Sequence, residues 1–484
     1  MSGLVIAQIM YVIVLFLVIL RVLYDTRSET KALAYILFIV FVPLIGMGFY
    51  FAFGTNYRKR KLYSKKLIQD DDLRQVLRQG VRSYSRKVLE KTGLEDRHGN
   101  LIRFIHHAAK SPLTANNGVR LLINGEEKFP EVLRALRAAK HHIHMEYYIY
   151  EDDATGEEIA GVLMEKARQG VAVRFLYDDF GSNALGKRFL QRLEEAGVQT
   201  APFYKINILA LANRINYRNH RKIIVIDGRT SFVGGINMSD RYRNDALAKD
   251  SLFWRDTHLR LDGVASYYLQ YVFLCDWNFC SQHKAGYSTH LFPPRDKTLP
   301  IAGEVVQMVA SGPDSELPTI LYSLLEAVGN AKKSILITSP YFIPGESLMD
   351  ALIIAAEAGV HIQILVPGTS DSRLVNAAAQ AYYTELLRHG VAIYRYNKGF
   401  VHAKTMVVDD DLAIVGTANM DYRSFDLNFE VNAIIYGKRL AAELGQAFSN
   451  DLENATKMDA EAWLARPKYL HIWERLVRLT SPFL

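Results

Sequence analysis

Two histidines open the same spaced pattern in this 484-residue chain. The first copy reads His220, Lys222, Asp227, Gly234, Asn237; the second reads His402, Lys404, Asp409, Gly416, Asn419. Five positions recur at identical spacing 182 residues apart (402 − 220), which chance His-x-Lys triplets do not do. The pattern implies an internal repeat whose halves each give half of one active site. A phosphodiester suits such a site, because cationic groups offset the charge that builds on its non-bridging oxygens. The lysines supply ammonium charge, and Asn237 and Asn419 supply neutral amide donors. One imidazole attacks phosphorus and forms a phosphohistidine. The other protonates the departing oxygen, then takes a proton from the incoming hydroxyl. With the lysines in place no metal is required, and no cofactor is expected.

The elements that must hold these groups are legible around them. Residues i and i+2 of a strand share a face, so His220 emerges with Lys222 and His402 with Lys404. Ile223–Ile226 and Thr405–Val408 are mostly β-branched and apolar, as buried strands are. Gly234-Gly235 and Gly416-Thr417 permit a close backbone approach to a phosphate oxygen. Asp227 and Asp409, candidate catalytic residues by their place in the motif, are read as holding the loop after the strand rather than carrying protons. Upstream, Ile143–Tyr150 and Val171–Tyr177 read as strands, Gly156–Gly170 and Leu185–Ala196 as helices. The second half answers with strands Ser334–Phe342, Val360–Val366 and Val391–Tyr396 and helices Leu348–Gly359 and Asn376–His389. Such alternation predicts an α/β sandwich, a sheet covered on both faces. Two of them packed face to face about a pseudo-twofold axis bring both motifs to one cleft.

Ahead of the repeats, Gly3–Leu20 and Ala32–Phe53 are apolar enough to cross a membrane. The first lacks the basic start of a cleaved signal, and a second stretch follows at once. Residues 1–60 are thus expected to form two transmembrane helices and 61–117 a helical connector. Residues 118–285 form the first domain, Ser281–Pro300 the link and 300–465 the second domain. Residues 466–484 read as an amphipathic helix, with Tyr469, Ile472, Trp473, Leu476, Leu479 and Phe483 on one face and Lys468, Arg475 and Arg478 beside it. Its apolar face meets either a membrane interface or the protein core. The insert Ile206–Leu211 reads either as a lipid-facing lip or as a core helix. Arg58, Lys59, Arg60, Lys61, Lys65 and Lys66 follow the second span, so the positive-inside rule puts the catalytic part on the cytoplasmic side. The net charge of +7 fits work beside anionic lipid, as it fits plain solubility. Cys275 and Cys280 make neither a disulfide framework nor a zinc spacing. His141, His142 and His144 lack acidic or cysteine partners at ligand spacing and are read as surface and strand residues.

The two His-x-Lys-x4-Asp repeats resemble the phospholipase D superfamily. With the opening membrane hairpin, Ser311-Gly312-Pro313, Ser339-Pro340-Tyr341-Phe342 and the ending Ser481-Pro482-Phe483-Leu484, the chain is similar to bacterial cardiolipin synthases over essentially its whole length. Residues 60–115 are the least distinctive. The resemblance implies two pseudo-symmetric α/β sandwich domains and no metal. It implies a phosphatidyl group passed from one phosphatidylglycerol to another, with glycerol released. It implies His220 as nucleophile and His402 as acid and base, which the residues alone do not distinguish. It also implies a carboxylate downstream that orients each histidine: Glu430 in the second half and Asp256 in the first. Their offsets differ, 28 residues (430 − 402) against 36 (256 − 220), so Arg241–Ser251 is expected to be an insertion. Lys222, Lys404, Asn237 and Asn419 are implied as phosphate binders, with Gly235 and Thr417 beside them. Many members carry Ser or Thr where this chain has Gly235, so a side-chain hydrogen bond is missing there. Partners are anionic membrane lipids and no nucleic acid, and a homo-oligomer is left open. The rivals are a phospholipase that gives phosphatidate, a nuclease on the same scaffold, and a membrane-tethered lipid-binding protein without catalysis.

Overall fold

The computed structural model describes residues 3–26, 29–51, 84–203, 217–245, 252–286, 288, 290–294, 300–370, 372–479 and 481. Residues 58–66 with their basic cluster, the insert Ile206–Leu211, the segment 246–251 and the last three residues lie outside that set. The N-terminal unit is helical. Helix Gly3–Asp25 contains a 21-residue run, Val5–Asp25, whose most apolar 18-residue window has a mean hydropathy of 2.6. At about 1.5 Å per residue this run matches a hydrocarbon core of about 30 Å. The second apolar stretch, expected as one span, is broken. Helix Glu29–Phe41 ends before Val42, and a new helix, Pro43–Phe49, starts at the proline. Pro43 has no N–H and its ring crowds the carbonyl one turn back, which is why the ladder breaks there. Val18, Val22, Ala32, Ile39 and Tyr50 pack between these helices, and the Tyr50 hydroxyl donates to the Arg21 carbonyl at 3.2 Å.

The second unit contains both repeats, and each builds the same seven-strand order. Outward from the centre the first half runs Thr114–Ile123, Thr257–Asp262, Thr230–Gly234, Lys222–Ile226, His142–Tyr147, Ala172–Asp178 and Gln199–Phe203. The second runs Glu304–Ser311, Asn428–Tyr436, Leu412–Gly416, Thr405–Val408, Ser334–Thr338, His361–Pro367 and Ala392–Tyr396. Helices Ala154–Arg168 and Lys187–Glu195 in the first half, and Gly345–Glu357 and Arg373–Arg388 in the second, fall between strands as the alternation predicts. The halves lie against each other through strands Thr230–Gly234 and Leu412–Gly416. They are also fused into one sheet, because Thr114 pairs with Val306 and Asn117 with Glu304 across a bulge. Each half keeps its own apolar core, around Ile143, Phe175 and Ile224 in the first and around Ile337, Ile364 and Met406 in the second.

The C-terminal helix Lys468–Arg478 docks through a narrow edge. Glu474 and Val477 are buried against helix Arg373–Arg388, and the Arg478 guanidinium sits 4.5 Å over the Tyr382 ring. Tyr469, Ile472, Trp473, Leu476 and Leu479 are 55–73% exposed. The apolar face therefore points away from the protein core.

Candidate active site

The two histidines do not lie inside the strands that follow them. His220 falls between a two-residue strand, Arg218–Asn219, and strand Lys222–Ile226. His402 falls between Phe400–Val401 and Thr405–Val408. Each short strand leaves its own half and pairs in parallel with the other. Arg218 and Asn219 stand opposite Asn428 and Phe429; Phe400 and Val401 stand opposite Trp254 and Arg255. The His220 N–H donates to the Phe429 carbonyl at 3.0 Å, and the His402 N–H to the Arg255 carbonyl at 2.7 Å. One further step in each register sets His220 beside Glu430 and His402 beside Asp256.

The side chains complete that crossing. His220 Nδ1 lies 2.8 Å from Glu430 Oε1, and His402 Nδ1 lies 2.7 Å from Asp256 Oδ2. The sequence pattern pairs each carboxylate with the histidine of its own half. The structure exchanges them, because the two-residue ladders carry each motif backbone onto the opposite half. Both carboxylates are fully buried. Arg221 donates to the Glu430 carbonyl at 3.3 Å, and Arg255 to the carbonyl of the adjacent Asp256 at 2.7 Å. Within the expected insertion, Arg241–Ser251, the Asn244 amide makes two hydrogen bonds with the Trp254 backbone, at 2.9 and 3.0 Å.

The exchange also accounts for Gly235. A Cβ there would lie 2.1 Å from Asp256 Oδ1, whereas Thr417, at the same place in the other half, donates its hydroxyl to Glu430 Oε2. Gly235 makes room for a carboxylate. The expected approach to a phosphate oxygen is corrected here, since the Gly235 and Thr417 N–H groups are taken by the Thr257 and Val431 carbonyls at 2.9 and 3.0 Å. Asp227 and Asp409 stand at the far end of the motif strands and do not line the cavity. Asp227 accepts the N–H groups of Lys140, His141 and His142; Asp409 accepts those of Lys333 and Ser334 together with Arg97 Nη2 at 2.7 Å. Burial opposes their ionisation, but these donors hold both carboxyls below the ordinary range. Their place in the motif is structural.

His220 and His402 line one cavity of about 360 Å³ with Tyr148, Tyr242, Trp254 and Asn419. The Tyr148 ring meets His220 edge-on at 4.9 Å, and Trp254 meets His402 edge-on at 5.4 Å, which fixes the imidazole planes. The lysines lie one layer back: Lys222 Nζ donates to the His220 carbonyl at 2.6 Å, and Lys404 Nζ to the His402 carbonyl. Asn237, also on the cavity wall, donates to the Tyr242 hydroxyl at 2.7 Å, while Asn419 Oδ1 has no partner among the described residues.

Burial and the neighbouring lysines disfavour the imidazolium forms. Burial, helped by Lys222 and Lys404, holds His220 well below its ordinary value. Burial and Lys404 bring His402 down to about 4, against the pull of Asp256. The carboxylates differ. Burial pushes Glu430 up to about 7, against the pull of Lys222. Asp256 is held below its ordinary value despite burial, by Lys404 and by His402. Burial also lowers Lys222 to about 7. Each imidazole holds a carboxylate through Nδ1, which leaves Nε2 for the substrate.

Some residues of the site escaped the sequence reading. Arg241 and Arg423 line the cavity four residues after Asn237 and Asn419, and each follows an Asn-Met pair, so the repeat extends further than the five positions read from it. Lys128, wholly buried, donates to the Ile236 carbonyl at 2.8 Å and supports the Asn237 loop. It has no counterpart spacing that would have flagged it. His142 and His144 bracket Gln270 in a buried network, at 2.9 and 2.6 Å. No cluster of metal-ligand type is present among the described residues.

A duplicated His-Lys motif on a doubled sheet, with both histidines on one cavity, defines a phospholipase D-like protein. The family model described as cardiolipin synthase, PLD-like domain, matches residues 132–250 and 324–452, and one described as phospholipase D-nuclease N-terminal matches residues 9–54. Cardiolipin synthases of Halalkalibacterium halodurans and Alkalihalophilus pseudofirmus are 42% and 41% identical to this chain. Those alignments cover 95% and 96% of this chain and 90% and 91% of theirs. The crystal structure of phosphatidylserine synthase from Haemophilus influenzae shares the fold, with a TM-score of 0.59 at 15% identity over 80% of this chain and all of that one. The chain belongs to the cardiolipin synthase family. It is a phosphatidyltransferase of the phospholipase D type, associated with the membrane through its N-terminal apolar segment.

Proposed function

We propose that the chain joins two phosphatidylglycerol molecules into cardiolipin and glycerol through a phosphatidyl-histidine. The observation that carries this reading is the pair of carboxylate-held imidazoles on one cavity. His220 Nε2 attacks the phosphorus of the first lipid. The bond from phosphorus to the glycerol headgroup breaks, and His402 gives the departing oxygen its proton. An anionic headgroup raises both imidazole values on arrival, and the firmly ionised Asp256 makes His402 the better-stabilised imidazolium. His402 then takes the proton of a second lipid's terminal hydroxyl. That oxygen attacks phosphorus, the P–N bond breaks, and His220 is restored. Lys222, Lys404, Asn237 and Asn419 offset the phosphate charge.

The apolar face of the C-terminal helix, with Arg475 and Arg478 beside it, seats the catalytic unit on anionic lipid. It docks on helix Arg373–Arg388, whose Val375 lines the cavity. The Ile472→Asp, Leu476→Asp double variant should lower Trp473 quenching by bromolipids at least severalfold in reconstituted full-length protein. Unchanged quenching would remove this role. The apolar segments cross the membrane so that residues beyond 60 face the cytoplasm, as the basic residues after them require.

Product analysis tests the reaction. Purified full-length protein in phosphatidylglycerol vesicles should release glycerol in step with cardiolipin. Phosphatidate in place of cardiolipin would make it a hydrolase, and the absence of any product would leave a lipid-binding protein.

A further inference from the structure

Arg218 opens the short strand that crosses to the opposite half, and its side chain lines the cavity. It is 3% exposed, yet both terminal guanidinium nitrogens lack a hydrogen-bond partner among the described residues. The guanidinium lies 4.3 Å over the Phe180 ring. Asp178, the carboxylate that acts on it most, is occupied by the backbone N–H groups of Phe180, Gly181 and Asn219. Holding a buried guanidinium without hydrogen-bond partners is unfavourable, and the planar fork suits a phosphate bidentately. Such a group at a cavity wall is set for an anion.

Its position says which anion. The transferred phosphate sits at a pseudo-symmetric centre, where each half gives the same His, Lys and Asn. Two residues before His402 the second half has Phe400, so the guanidinium is present on one side only. A transfer that joins two lipids brings a second phosphodiester, and that one also arrives on one side only. We propose that Arg218 binds the phosphodiester of the acceptor lipid and thereby selects a lipid alcohol over water. This rests on the phosphatidyl-transfer reading above. Arg218 makes and breaks no bond. It holds the acceptor while its hydroxyl oxygen attacks the phosphatidyl-His220 phosphorus and its proton passes to His402.

Two reactions of the full chain in phosphatidylglycerol vesicles separate the roles. Exchange of labelled glycerol into phosphatidylglycerol needs only formation and reversal of the phosphatidyl-enzyme. Cardiolipin synthesis needs the second lipid as well. Arg218→Gln should lower the ratio of cardiolipin formation to glycerol exchange at least about tenfold, the scale of a lost charged hydrogen bond. The phosphatidate share should rise, and Arg218→Lys should recover part of the ratio. An unchanged ratio would overturn the proposal. So would loss of both reactions in both variants, which assigns the guanidinium to the transferred phosphate or to the fold. If the unsubstituted chain gives neither exchange nor cardiolipin, the underlying transfer reading fails and the proposal falls with it.

Discussion

Replacing His220 with alanine should lower cardiolipin formation by about 10⁴-fold or more, because no other group on the cavity replaces its nucleophile. His402→Ala should cost a similar amount with the natural lipid, since glycerol leaves poorly without a proton. The two variants part with an activated substrate. A phosphatidyl p-nitrophenol ester has a leaving group that needs no acid. His402→Ala should release one equivalent of p-nitrophenol per enzyme in a burst and then stall. His220→Ala should show no burst. Equal bursts from both variants would mean that neither histidine is the dedicated nucleophile.

Glu430→Gln should lower turnover by about 10³- to 10⁴-fold, the scale seen when a histidine loses the carboxylate that sets its tautomer. The crossing makes this prediction specific. Glu430 holds His220 at 2.8 Å, although it belongs to the half that carries His402. Glu430→Gln should therefore abolish the p-nitrophenol burst, as His220→Ala does. Asp256→Asn, which touches His402, should retain the burst and slow the later turnover. Pairing within each half requires the opposite assignment. A burst lost in Asp256→Asn and kept in Glu430→Gln would rule out the crossed geometry.

Residues whose roles recur at fixed spacing were legible in the chain. His220, Lys222, His402 and Lys404 announce themselves by repetition, and the alternation of apolar strands with amphipathic helices gave both halves of the sheet. The crossing was not legible. It is set by two ladders of two residues each, Arg218–Asn219 and Phe400–Val401, too short to leave any periodicity. The same crossing moved the histidines out of the strands that were expected to hold them. Gly235 reads in the sequence as a missing hydroxyl, whereas in the fold the Asp256 carboxylate occupies the space a side chain would need. Lys128 carries no repeat signal, and its role depends on the Ile236 carbonyl reaching it from another element. The break in the second apolar stretch had a visible cause in Pro43, which hydropathy alone passes over.

The central claim is that phosphorus passes through His220. The direct measurement quenches the turning-over full-length protein at alkaline pH, where a P–N bond survives, and maps the lipid phosphate by peptide mass. The account predicts the adduct on the peptide that carries His220. An adduct on His402, or cardiolipin accumulating with no covalent intermediate, would contradict it.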